Sequence, residues 1–232
     1  MSLLSQKLTS KNYYPKFVCE IGVWHPETSN IKTYIDSGVK TMLVEPDPES
    51  IELIKEKWSN KANLILKEFA CADFEGSIDL YKAGSSSFIS SSTSSPAIIN
   101  DSYHKEDSPT VKVKAKKFSS EDPGNIDLIS IDIEGSEWFV IKNMISRPNV
   151  VSIETHGALY VNPFKNEINN WMNAEGYKIW YKDNSDTVYV KRGSIKLTII
   201  ENAFLLLKNI HLSLRRLEKF ISIILKKIFL KK

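Results

Sequence analysis

Two pairs of titratable residues stand out by type and spacing. Asp132 and Glu134 close the apolar run Ile126–Ile133, and Glu154 and His156 follow the run Val150–Ile153. Each pair is spaced i, i+2, which in extended backbone points both side chains the same way. Carboxylates and an imidazole gathered at strand ends can take the proton from a hydroxyl. His156 is the first candidate for that base, because a free imidazole titrates near neutral pH. Asp132 is the second, either as base or as the group that orients a cationic ligand. Glu134 suits a supporting role, accepting backbone N–H groups of the turn. The same four groups would also accept a hard divalent cation. Nothing in the spacing selects one, and no Cys-x-x-Cys pattern marks a zinc site, so no metal is expected.

Nearer the N-terminus the pattern is that of a nucleoside site. The run Phe17–Ile21 carries Glu20 and ends on Gly22, and the run Thr41–Val44 ends on Glu45. In open parallel sheets, ligands bind beyond the C-terminal strand ends at the switch point, where a carboxylate can accept both hydroxyls of a ribose. A pyrophosphate would call for Gly-x-Gly-x-x-Gly, whereas this turn reads Gly22-Val23-Trp24-His25-Pro26 with one glycine. An adenosine without phosphate fits better, and S-adenosyl-L-methionine is the commonest such ligand. A nicotinamide dinucleotide is excluded on the same ground.

The elements that must position these groups alternate. Asp47 with Pro48 starts a helix whose face carries Ile51, Ile54 and Trp58, and Ile31–Ser37 forms another before Gly38. Strand and helix in turn predict a parallel sheet with right-handed crossovers. Ser77–Tyr81 and Val111–Ala115 read as strands around a serine-rich loop. Residues 84–95 hold eight serines and a threonine. Ser85–Pro96 is thus a loop that can close over a site, with Phe88 as its apolar anchor. Ser136–Ile145 reads as a helix, and Asn162 with Pro163 starts another that Gly176 ends. Lys178–Tyr181 and Thr187–Val190 form a hairpin around Asp183-Asn184-Ser185-Asp186.

Taken together these segments resemble the FkbM-type family of S-adenosylmethionine-dependent methyltransferases. The resemblance rests on Glu20-Ile21-Gly22, Val44-Glu45-Pro46-Asp47-Pro48, Ala70-Cys71-Ala72-Asp73, Ile131-Asp132-Ile133-Glu134-Gly135-Ser136-Glu137 and Glu154-Thr155-His156. Their order and spacing carry it. The chain departs from the family pattern at Glu20, usually Asp, at Val23-Trp24, usually Ala-Asn, and at Ser130, usually Lys. The resemblance implies a Rossmann-like methyltransferase fold, a mostly parallel twisted sheet with an antiparallel C-terminal hairpin. It implies S-adenosyl-L-methionine as cofactor, held by Glu20, Gly22, Glu45 and Asp132, with Ala70, Cys71 and Asp73 beside the adenine. It also implies methyl transfer to a hydroxyl, often on a sugar or natural product.

Charge divides the chain. The formal net charge is +3, yet residues 191–232 hold 11 basic and 2 acidic residues. Residues 1–192 are accordingly expected to form the methyltransferase domain and residues 193–232 a basic amphipathic tail. From Leu207, apolar residues recur at 210, 214, 217, 221, 224 and 228, with Lys208, Arg215, Arg216, Lys219, Lys226 and Lys227 between them. That pattern suits a helix lying in a membrane interface. The sequence thus predicts an O-methyltransferase for a cell-surface polysaccharide or glycolipid, cytoplasmic and peripheral on the inner membrane face. Two other readings stand beside it: a natural-product O-methyltransferase whose tail dimerises, and a non-catalytic scaffold of a membrane-bound synthesis complex. An acidic body argues against nucleic acid as partner, and a homo-oligomer is compatible with the tail.

Overall fold

A computed structural model describes residues 1–90, 95–100, 103, 109–157 and 159–229. Seven strands form the main sheet: β1 (Phe17–Ile21), β2 (Lys40–Val44), β3 (Leu64–Lys67), β8 (Leu128–Ile131), β9 (Val150–Glu154), β10 (Tyr177–Lys182) and β11 (Asp186–Lys191). Their order is β10-β11-β9-β8-β1-β2-β3. Every pair from β3 to β9 is parallel, and β11 runs antiparallel to both β9 and β10. This is the Rossmann-like methyltransferase architecture, with the hairpin expected around Asp183–Asp186.

The central strands are largely apolar and buried because helices cover both sheet faces. On one face, α3 (Pro48–Trp58) buries Ile51, Ile54 and Trp58. Asp47 caps it by accepting the Glu49 N–H at 3.1 Å. α2 (Lys32–Asp36) and α1 (Leu3–Ser10) complete that layer, with Ile35, Leu4 and Leu8 buried. On the other face lie α5 (Glu137–Ile141) and α6 (Lys165–Ala174), which bury Val140, Ile141, Ile168 and Met172. α5 stops well short of the expected Ile145. Its end leads into a turn in which the Asp122 carboxylate accepts the Ile145 and Ser146 N–H groups.

The two strands expected at Ser77–Tyr81 and Val111–Ala115 belong to a second, four-stranded sheet that branches off between β3 and β8. It comprises β4 (Ala70–Cys71), β5 (Gly76–Tyr81), β6 (Phe88–Ile89) and β7 (Thr110–Lys116), in the order β4-β7-β5-β6. The serine-rich stretch is therefore partly strand. Phe88 is buried and stacks on Tyr81. α4 (Pro96–Asn100) follows it, and residues 91–94 of the expected loop lie outside the described residues.

The tail is a 31-residue helix, α7 (Ile199–Phe229). Its first turns dock on the body: Glu201 accepts the Trp180 indole N–H and pairs with Lys11 at 2.7 Å. Lys182 donates to Asn209 at 2.8 Å, and Leu212 is buried. At 100° per residue these contacts share one face. Leu207, Ile210, Leu214, Leu217 and Ile221 lie on the opposite face, each about half exposed. The side chains at 224 and 228 lie outside the described residues. Among the described residues, no helix is long and apolar enough to cross a membrane.

Candidate active site

β1 feeds β2 on one side of the sheet, while β8 pairs with its other edge, so the C-terminal ends of the three strands meet. Gly22 N–H donates to Val44 O, and Asp132 N–H to Ile21 O, each at 2.9 Å. Gly22 has φ +80°, and a Cβ there would stand 1.8 Å from the Asp132 carbonyl oxygen. Only glycine fits this crossing. Beside it opens a cavity of about 550 Å³. Its walls include Glu20, Gly22, Trp24, Glu45, Ala70, Cys71, Phe88, Asp132, Glu134 and Asp186. Trp24 and Glu134 are both left-handed, at φ 51° and 57°. Such conformations cost about 1–3 kcal/mol in non-glycine residues and gather at binding sites.

Each carboxylate has its own neighbours. Glu20 is buried; it accepts the Ser29 hydroxyl at 2.5 Å and the Asn30 N–H at 2.8 Å. Burial nonetheless pushes its pKa up to about 7. Glu45 accepts the Val23 and Trp24 N–H groups on one oxygen, at 2.7 and 3.0 Å, and the Asp47 N–H on the other. It therefore shapes the first turn as well as facing the cavity. Three of its roughly four acceptor directions are used. Burial still holds its pKa above the usual range, against those three donors.

Asp132 is half-buried, and its pKa is pushed well up, first by desolvation and then by the charge of Glu134. Glu154 lies behind it, buried, and desolvation and the Asp132 charge raise it likewise. Two further acids escaped the sequence reading. Glu137 Oε1 accepts the Ile133 and Gly135 N–H groups, both at 3.0 Å, and burial lifts its pKa to about 7. Asp186 accepts the Ser152 hydroxyl at 2.8 Å and titrates at about 6. Glu137 looks from sequence like an ordinary first-turn helix acid, and Asp186 like a hairpin turn residue.

Two expectations need correction. His156 does not reach the cavity. It is 1% exposed, with Nδ1 against Thr155 Oγ1 at 3.0 Å and Nε2 against the Asp183 carbonyl at 3.3 Å. β9 ends at Glu154, and His156 then bridges to Val161, which turns its ring under the β10–β11 hairpin. Burial drives its pKa down to about 4. Asp73 also misses the cavity: past β4 the chain turns outward, and its carboxylate pairs with Lys142 at 2.5 Å. Ala70, Cys71 and the remaining expected cofactor residues lie on the cavity wall.

Among the described residues, no lysine or arginine pairs with Glu20, Glu45, Asp132, Glu137, Glu154 or Asp186. An acid-walled cavity with a glycine crossing at its floor fits a ligand with a cationic centre and an uncharged nucleoside. S-adenosyl-L-methionine has both.

Comparison with known proteins agrees. The chain matches the methyltransferase FkbM domain over residues 18–179. No curated protein matches it. Among solved structures it is similar to a putative caffeoyl-CoA O-methyltransferase from Staphylococcus aureus, at 12% identity and a TM-score of 0.47, over 82% of this chain and 81% of that one. It is also similar to a putative RNA methyltransferase from Pyrococcus horikoshii, at 11% identity and a TM-score of 0.43, over 81% of this chain and 78% of the other. The strand order, the acid-walled switch point and the match over most of the sheet agree: the chain belongs to the FkbM family of methyltransferases, whose cofactor is S-adenosyl-L-methionine.

Proposed function

We propose that this methyltransferase acts on a hydroxyl of a sugar or glycan, presented at a membrane surface. The cofactor supplies a methyl group already activated on a sulfonium. The chain's own residues hold it and receive the acceptor. Gly22 lets the first turn approach closely, Glu45 fixes that turn and faces the ribose, and Ala70 and Cys71 line the adenine side. Asp132 faces the methyl end, where its carboxylate is placed to take the acceptor hydroxyl's proton.

The observation that carries the acceptor class is the pairing of acid walls with Trp24. Trp24 lines the cavity yet is 41% exposed. Acid walls repel anionic acceptors, whereas a neutral hydroxyl is unaffected. An exposed indole at the rim offers a flat apolar face to a sugar ring. The membrane setting rests on α7, whose apolar residues Leu207, Ile210, Leu214, Leu217 and Ile221 are exposed on the face away from the body.

The test is transfer of labelled methyl from S-adenosyl-L-methionine to glycolipid and free glycan extracts by the full chain. Label in a hydroxyl of a glycan supports the reading, with lipid-linked glycan preferred. Label confined to amines, or to small aromatic phenols, overturns it.

A further inference from the structure

Behind Asp132 the end of β9 and the start of α5 bring three carboxylates to one point. One oxygen each from Asp132, Glu137 and Glu154 lies within 4.8 Å of the others. Opposite ligands on a calcium-, manganese- or magnesium-sized ion stand about 4–5 Å apart, twice a metal–oxygen bond of about 2.0–2.6 Å. A single ion can therefore touch all three.

Crowding of acids alone would not mark a site, but Glu154 adds an independent sign. It is 7% exposed, and its Oε2 is fully buried with no hydrogen-bond partner. Among the described residues neither Glu154 nor Asp132 is in an ion pair. A buried carboxylate oxygen with neither donor nor cation is costly, by several kcal/mol in general. The surroundings are also built. Asn162 donates to Glu137 Oε2 and to the Glu154 carbonyl, the latter at 3.1 Å, and so ties the two elements together. The Ile133 and Gly135 N–H groups fix the other oxygen of Glu137. Metal-ligating carboxylates are held in this way by outer hydrogen bonds.

We propose that Asp132, Glu137 and Glu154 bind one divalent cation of the hard, oxygen-preferring class. All three donors are oxygens, which disfavours zinc and copper relative to calcium, manganese or magnesium. Asp132 faces the cavity on one side and the cluster on the other, so it ligates with one oxygen and keeps the second for the acceptor side. The ion neutralises buried charge beside the cavity and fixes Asp132 in place. The proposal does not depend on the acceptor class or on methyl transfer.

The test uses the full chain without cofactor or acceptor. Calorimetry with CaCl2 and MgCl2, and paramagnetic resonance with MnCl2, read ion binding at pH 7.5. One ion per chain is expected, with Glu154→Gln weakening it at least about tenfold. Asp132→Asn is the second variant, with weaker binding again expected. No saturable binding of any of the three ions up to about 1 mM overturns the proposal. Binding that both variants leave unchanged overturns it too. A chain that binds S-adenosyl-L-methionine but no ion contradicts only this proposal.

Discussion

Glu45, at the end of β2, accepts the backbone N–H of Val23, in the turn after β1, at 2.7 Å. One carboxylate thus joins two neighbouring strand ends and sets the shape of the turn on which the cofactor rests. Replacing it removes the acceptor for the Val23, Trp24 and Asp47 N–H groups together. Each buried donor left unpaired costs about 1–3 kcal/mol. Glu45→Ala should lower the urea midpoint and weaken cofactor binding at least about tenfold. Glu45→Gln keeps the oxygen that accepts from Val23 and should retain more of both.

Gly22→Ala should be harsher for its size. The added methyl meets the Asp132 carbonyl at 1.8 Å, and alanine at φ +80° is strained by itself. The strain alone is about 1–2 kcal/mol, and the clash with backbone adds to it. Equilibrium unfolding should show a loss above about 2 kcal/mol. Gly38→Ala is the control, because nothing stands within 4 Å of its Cβ position, although it carries the φ strain.

Stability should fall as pH rises through neutrality. Glu20 titrates at about 7 in the folded chain, against 4.5 for the free group. Between those values the folded chain holds a proton the unfolded chain has lost, so rising pH favours unfolding. The whole effect for Glu20 is about 3 kcal/mol. Glu137 and Asp186 act in the same sense. His156 opposes them, because its folded pKa of about 4 lies below the ordinary 6.5. Its contribution grows with pH, but only up to about 6.5. Urea melts should therefore show a clear loss between about pH 6.5 and 8. Glu20→Gln should flatten that slope; an unchanged slope would show that Glu20 is not its source.

The α7 stripe makes a prediction about lipid. The full chain should sediment with vesicles containing anionic phospholipid and much less with neutral ones, and salt should weaken the binding. Leu214 and Leu217 are each 54% exposed. Leu214→Glu with Leu217→Glu should abolish sedimentation without altering the melting of the body. A double variant that still binds would assign the stripe another role.

What the sequence made legible was local. Strand runs with acids at their ends were readable, and the sheet brings Glu20, Glu45 and Asp132 to one cavity wall. Asp47-Pro48 marked its helix because cap and first turn are neighbours in the chain. The miss at His156 came from beyond that range. Nothing in Glu154-Thr155-His156 shows that the β10–β11 hairpin will fold over the ring and use Asp183 to hold it. Glu137 was missed for the same reason: Asn162, which donates to its carboxylate, lies 25 residues away. Of the second sheet, β5 and β7 were readable as strands, whereas β4 and β6 are two residues each, too short for any period to show. The α1 helix did carry a local sign, since Ser2 accepts the Ser5 N–H as its cap.

Asp132→Asn should separate binding from chemistry. The amide keeps the size of the side chain and its place on the cavity wall, but cannot take the acceptor's proton. The turnover number should fall about 100-fold or more, with a smaller change in cofactor affinity. A parallel loss of affinity and turnover would instead make Asp132 a cofactor ligand alone.

The central claim is that the cavity between Gly22, Glu45 and Asp132 holds the cofactor. Calorimetry of S-adenosyl-L-methionine against the full chain and Glu45→Ala tests it most directly. One molecule per chain should bind in the micromolar range, tighter at pH 8 than at pH 6 as the acid walls lose protons, and Glu45→Ala should weaken it at least about tenfold. No binding by the intact chain, or binding that Glu45→Ala leaves unchanged, would contradict the account.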